Sequence, residues 1–208
     1  MIRGLLIVFS VVLLLVTGMT LWLTRGSEPE LGADTLSRLQ PAAGKMEAIG
    51  GPFTLIDQDG KTVTEKDFDG KLKLVFFGFT HCPDICPVTL ATLTSLMNHL
   101  GDKADQVVPL FITVDPERDT PARLKEYLRD FHPAIRGLTG SNTQIAQAAK
   151  EYKVYYAAAK PEQGAKADYA VDHSSMVYFM SRNDGYLGYF SPDDTEKSML
   201  ETITARLD

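Results

Sequence analysis

The sequence predicts an α/β domain built on a mixed sheet, and three observations carry that prediction. Two apolar runs rich in β-formers, KLVFFGF over 73–79 and VVPLFITV over 107–114, read as buried strands. Each is followed by residues that start helices, so the runs form βα units whose strands lie parallel. Two further pairs of short strands flank Asp59-Gly60 and Asn183-Asp184-Gly185, turn sequences suited to φ > 0, and so place antiparallel hairpins at the start and near the end of the domain.

In chain order, residues 4–23 (GLLIVFSVVLLLVTGMTLWL) carry no charge, lie between Arg3 and Arg25, and are long enough to cross a hydrocarbon core of about 30 Å. The apolar stretch continues through Met19, Leu21, Trp22 and Leu23 without a small-residue cleavage site, so an uncleaved anchor over 1–25 is expected. The amino terminus before the span and Glu28, Glu30 and Asp34 after it place the N-terminus inside. A single-pass protein of the bacterial inner membrane is expected, with its C-terminal domain in the periplasm. Residues 26–48, with scattered charge, prolines and glycines, read as a flexible tether.

The domain proper, 49–208, opens with the hairpin of 53–56 and 62–64. Strand 73–79 leads through the cysteine loop into a helix over 88–100, whose Leu90, Leu93, Leu96, Met97 and Leu100 fall on one face. Strand 107–114 is followed by Thr120-Pro121, an N-cap and first-turn proline that start a helix running to about 131. A helix over 142–152, the hairpin of 175–180 and 186–190, and a closing helix over 193–207 complete the chain. The order hairpin, βα, βα, α, hairpin, α corresponds to a thioredoxin-like sandwich.

The formal net charge of −6 argues against binding to phosphate backbones, so no nucleic-acid partner is expected. The chemistry concentrates in THCPDICP, residues 80–87, which holds the only two cysteines of the chain. A thiolate at a helix N-terminus is stabilised by unpaired N–H groups and by the helix dipole, which lowers its pKa and favours both attack on disulfides and metal binding. Cys82 and Cys86 are one residue further apart than in the C-x-x-C dithiols, a spacing that lets two sulfurs converge on one ion and still permits a disulfide. A purely structural staple gains little, because closing so short a loop removes little chain entropy.

A metal site needs a third ligand. His99 lies within the 88–100 helix, His132 ends the following one, and His81 faces away from Cys82 as its extended-chain neighbour. His173, in VDHSS just before the second hairpin, occupies the stretch that packs on the cysteine loop in thioredoxin-like folds and that there holds a cis-proline, absent here. Two thiolates and an imidazole form a soft donor set for Cu(I), with Cu(II) or Zn(II) also chemically reasonable. The competing chemistries are a thiol-disulfide oxidoreductase using Cys82 and Cys86 as a redox pair, and a peroxidase, for which no arginine adjoins the pair. Asp115, Glu117, Arg118 and Asp119 in DPERDTP read as a solvated loop, and Asp84 as a turn residue.

GGPFTLIDQDGKTVTEKDFDGK, FFGFTHCPDICP, FITVDPERDTP, KVYYAAA and VDHSSMVYFMSRNDGYLGYFSPDD, in this order, resemble the Sco/SenC family of copper-binding cytochrome c oxidase assembly proteins. The resemblance runs from about residue 50 to the C-terminus. It implies one copper ion per chain, as Cu(I) or Cu(II), held by Cys82, Cys86 and His173. It further implies a metallochaperone role in building the copper centre of cytochrome c oxidase subunit II, with an upstream copper donor and a thiol reductant as further partners.

Overall fold

A computed structural model of the chain describes Met19 and residues 48–158, 171–173 and 175–207, with the main chain alone at 158, 172 and 173. The anchor expected over 1–25 and the tether over 26–48 lie outside the described residues, Met19 and Ala48 excepted. Among the described residues no helix is long and apolar enough to cross a membrane.

Glu47–Asp208 forms one unit. It opens with β1 (Thr54–Asp57) and β2 (Thr62–Thr64), an antiparallel hairpin whose turn places Gly60 at φ 82°. Then come β3 (Leu72–Gly78), α1 (Ile85–Leu100) and β4 (Val107–Thr113), with β3 and β4 parallel from the Leu72–Val107 pair to the Gly78–Thr113 pair. α2 (Pro121–Leu128) starts as its sequence requires: the Thr120 side chain accepts from the Arg123 N–H.

A strand absent from the sequence reading follows. β5 (Arg136–Thr139) pairs parallel with β4 and antiparallel with β1, inserting a third βα step before α3 (Asn142–Glu151). Its four residues are too few and too mixed to show a period; its pairing partners, not its own sequence, make it a strand.

β6 (Tyr156–Ala158) and β7 (Val171–His173) form a separate antiparallel ribbon, also not foreseen. β8 (Val177–Met180) and β9 (Tyr186–Phe190) are the expected hairpin, and α4 (Glu196–Thr204) closes the domain. In the β8–β9 turn it is Asp184, at φ 62°, that takes the left-handed conformation, not Gly185.

The main sheet runs β2-β1-β5-β4-β3-β8-β9. Alternation along β3 divides the core in two. Leu72, Leu74 and Phe76 face α1, α2 and α4, whereas Val75 and Phe77 face α3 and the Tyr152 and Tyr178 rings. Lys73 lies within this buried strand at 1% exposure, and its Nζ is neutralised 2.7 Å from the Asp184 carboxylate. The layered arrangement is the expected thioredoxin-like sandwich, with the parallel strands β3 and β4 at its centre. The cysteine loop therefore leaves from the middle of the sheet, where β3 is covered on both faces.

Candidate metal centre

β3 ends at Gly78 and the chain turns over residues 79–82 before entering α1. The Cys82 N–H donates to the Phe79 carbonyl at 3.2 Å and closes the turn. Cys82 is half-buried beyond it, and Cys86 is wholly buried in the first turn of α1. Pro87 follows, where a missing N–H leaves no helix bond unmade. Asp84 precedes the helix without capping it through its side chain, which agrees with its reading as a turn residue.

The Cys86 sulfur rests against the strand that precedes it. A Cβ placed on Gly78 would stand 2.7 Å from this sulfur and 2.7 Å from Cε2 of Phe111, so glycine leaves the space the thiol fills. The Phe79 backbone and the Cys82 side chain both act electrostatically on this thiol. Neither cysteine is in a disulfide. The two sulfurs thus form one site.

Their electrostatics differ from the expectation of a helix N-terminus lowering the thiol pKa. Burial pushes the Cys86 thiol well above its ordinary value of 9.0, and Cys82 and Asp119 act in the same direction against the opposing Phe79 N–H. Desolvation at a wholly buried sulfur outweighs the helix end. The neutral thiol is therefore the resting form. A deprotonated Cys86 needs a compensating cation.

A group held protonated by the fold makes stability depend on pH. In the unfolded chain the thiol loses its proton near 9.0, while in the fold it keeps it. Its contribution is complete below that value and is lost as pH rises above it, by at most about 1.4 kcal/mol per unit. Tyr127 and Tyr152, both pushed up chiefly by burial, act likewise at higher pH. Urea melts of the reduced, metal-free protein are expected to show falling stability from pH 8.5 to 10.5; a flat profile would contradict the buried, neutral thiol.

Of the histidines, His173 is placed in β7 with its main chain opposite Tyr156, and its side chain lies outside what is described. His99 turns to the α4 side, with Nδ1 2.8 Å from Glu196, and His132 accepts from the Ala134 N–H. Neither adjoins the thiols in sequence, and neither bonds to them among the described contacts. His81 is partly exposed, with Nδ1 3.2 Å from the Thr80 hydroxyl and 3.9 Å from Asp119. Among the described residues no group of three His, Cys, Asp or Glu side chains gathers as a metal site.

The loop after β4 corrects the sequence reading. Asp119 is fully buried and Asp115 nearly so; the Arg118 guanidinium pairs with Asp115 and stands over the Phe79 ring, 5.8 Å from its centroid. Asp119 accepts from the Thr80 N–H at 2.9 Å, the Thr80 hydroxyl at 2.6 Å and the Thr113 hydroxyl at 2.7 Å. Asp115, Arg118 and Asp119 pack on the cysteine loop instead of lying in solvent, whereas Glu117 is exposed as read. No local signal marks Asp119, because its partner Thr80 is 39 residues away.

Tyr127 of α2 was also missed. Its hydroxyl is buried without a hydrogen-bond partner among the described residues, and burial, followed by Cys86 and Cys82, pushes the phenol up to about 12.

The sequence model described as SCO1/SenC matches residues 41–208. The chain belongs to the SCO1/SenC family. Among curated relatives, the "Protein SCO1 homolog 1, mitochondrial" of Arabidopsis thaliana is 44% identical over 168 residues, covering 80% of this chain and 49% of its own length. The chain spans about half the length of such curated relatives. Among solved structures, Bradyrhizobium japonicum ScoI with copper bound is 42% identical, with a TM-score of 0.71, 76% of this chain covered and 99% of that one. BsSco, described as a member of the Sco family of cytochrome c oxidase assembly proteins with a disulfide switch, is 27% identical with a TM-score of 0.60, covering 78% of this chain and 95% of its own. For a SCO1/SenC member, the two cysteines at the head of α1 are the feature that any account of function must use.

Proposed function

We propose that this protein is a copper metallochaperone that holds one copper ion with Cys82, Cys86 and His173 and passes it to an acceptor such as cytochrome c oxidase subunit II. The observation that carries the reading is the pair of cysteines, not joined in a disulfide and coupled electrostatically, where the central strand β3 passes into α1. Two sulfurs already side by side are a preformed soft-metal clamp, and the copper-bound ScoI neighbour supports copper as the ion.

The cation supplies what Cys86 lacks. Copper displaces the thiol proton and neutralises the buried thiolate, so loading weakens as acid competes for the sulfurs. The imidazole of His173 completes a three-ligand set. Release proceeds by ligand exchange: half-buried Cys82 is the sulfur an incoming acceptor thiolate reaches first, and wholly buried Cys86 lets go last. Each vacated sulfur takes up a proton, and no net electron transfer is needed.

Oxidation to the Cys82–Cys86 disulfide removes both sulfur ligands, and a thiol reductant supplying two electrons and two protons restores them. The closeness of the two thiols also favours a second reading, a thiol-disulfide oxidoreductase that reduces the acceptor's cysteines before metallation. In that role the accessible Cys82 attacks and Cys86 resolves. On the uncharged stretch 4–23 the proposal includes an inner-membrane anchor with the domain in the periplasm.

Anaerobic Cu(I) titration against a chromophoric chelator tests the chaperone reading. Reduced protein is expected to bind one equivalent, His173→Ala to bind about tenfold or more weakly, and the disulfide form to bind none. Equal binding by the reduced and disulfide forms would refute the clamp and leave the reductase, assayed by reduction of a model dithiol acceptor, as the function.

A further inference from the structure

Phe79 stands between the two cysteines: its carbonyl accepts from the Cys82 N–H at 3.2 Å, and its neighbour Gly78 packs against the Cys86 sulfur. Phe79, Thr80, His81 and Cys82 therefore form a single turn whose conformation sets the distance between the two sulfurs. What holds this turn comes from the loop after β4. Asp119 takes both the N–H and the hydroxyl of Thr80, the second residue of the turn, while Arg118 covers the ring of Phe79, the first. Arg123 of α2 adds a third grip, its Nε 3.3 Å from the Thr80 hydroxyl.

A fully buried carboxylate is a costly way to join two loops, since apolar packing of equal volume does that without desolvating a charge. Asp119 spends its two oxygens on directional bonds, and two of the three go to Thr80. Directional bonds fix orientation where apolar contact would fix only proximity. The Asp119 amide is itself tied back to the Asp115 carbonyl at 2.9 Å, so the carboxylate is held from its own side.

From this we infer that Asp119 is a positioning residue of the copper site: by clamping Thr80 it sets the 79–82 turn, and with it the spacing of the Cys82 and Cys86 sulfurs. The inference rests on the copper reading above. It goes beyond the ligands by assigning the geometry of the clamp to a neighbouring loop that never touches the ion.

A matched pair of variants tests it in the full, reduced chain. Thr80→Val and Thr113→Val each remove one buried hydroxyl bonded to Asp119, but only the first lies in the turn. Both are expected to lower the denaturation midpoint comparably. Thr80→Val is expected to weaken Cu(I) binding about tenfold or more, with Thr113→Val within about threefold of wild type and Thr80→Ser, which keeps the hydroxyl, restoring affinity. Equal affinities for the two valine variants would overturn the inference.

If Thr80→Val does not fold, Asp119→Asn carries the test through the thiolate-to-Cu(II) absorption band, which reports sulfur geometry. A shifted band supports positioning; an unchanged band with unchanged affinity overturns it. Cys82→Ser and Cys86→Ser separate the two failures: wild-type affinity in these variants refutes the copper reading itself, whereas weak binding there beside a normal Thr80→Val refutes only the role of Asp119.

Discussion

Cys86→Ser is expected to abolish tight copper binding while the domain stays folded. Structural zinc sites bind with apparent free energies of about 10–16 kcal/mol shared among their ligands; on that scale losing one ligand of three removes about 3–5 kcal/mol, or about 10²–10⁴-fold in affinity. The fold is expected to survive because serine is near-isosteric with cysteine and the surrounding core of Leu90, Phe111 and Leu124 is untouched. Cys82→Ser is expected to lose copper to a similar degree at a smaller cost in stability, since that position is only half-buried. Competition titration beside circular dichroism reads both effects. A Cys86→Ser protein that binds copper as wild type does would end the clamp hypothesis.

The second large effect is expected at a residue without a side chain. Gly78→Ala introduces a methyl carbon 2.7 Å from both the Cys86 sulfur and Phe111 Cε2, closer than packed atoms tolerate. Overpacking of this kind costs about 1–3 kcal/mol. The sulfur, at the end of a short side chain, must move together with its helix turn. Loss of stability and loss of copper affinity are thus expected in the same variant. Adding Phe111→Leu relieves only one of the two collisions, so the double variant should recover part of the denaturation midpoint but not the affinity. Recovery of both would mean that the sulfur adapts freely and that Gly78 serves the core alone.

How far these features could be read along the chain varies with their range. β3, α1 and β4 declare themselves through β-forming runs and an i, i+3, i+4 stripe, because every residue involved lies within one element. The Thr120 cap of α2 and the Gly60 turn are as local, and the structure has both. β5 is the counter-example. Arg136–Thr139 becomes a strand only because β4 and β1 present edges on either side of it, and the β6–β7 ribbon likewise depends on a partner distant in sequence.

The site divides in the same way. The sequence alone determined that two cysteines with three residues between them stand where a buried strand passes into a helix, a placement that points to thiol or metal chemistry. Only the tertiary structure decided that Cys86 is a neutral thiol and not an activated thiolate, and that the loop of Asp115, Arg118 and Asp119 buttresses the turn instead of facing solvent. The physical reason is common to both. Spacing and periodicity are properties of the chain, whereas desolvation and a hydrogen bond across 39 residues exist only once the sheet has brought β3 and β4 side by side.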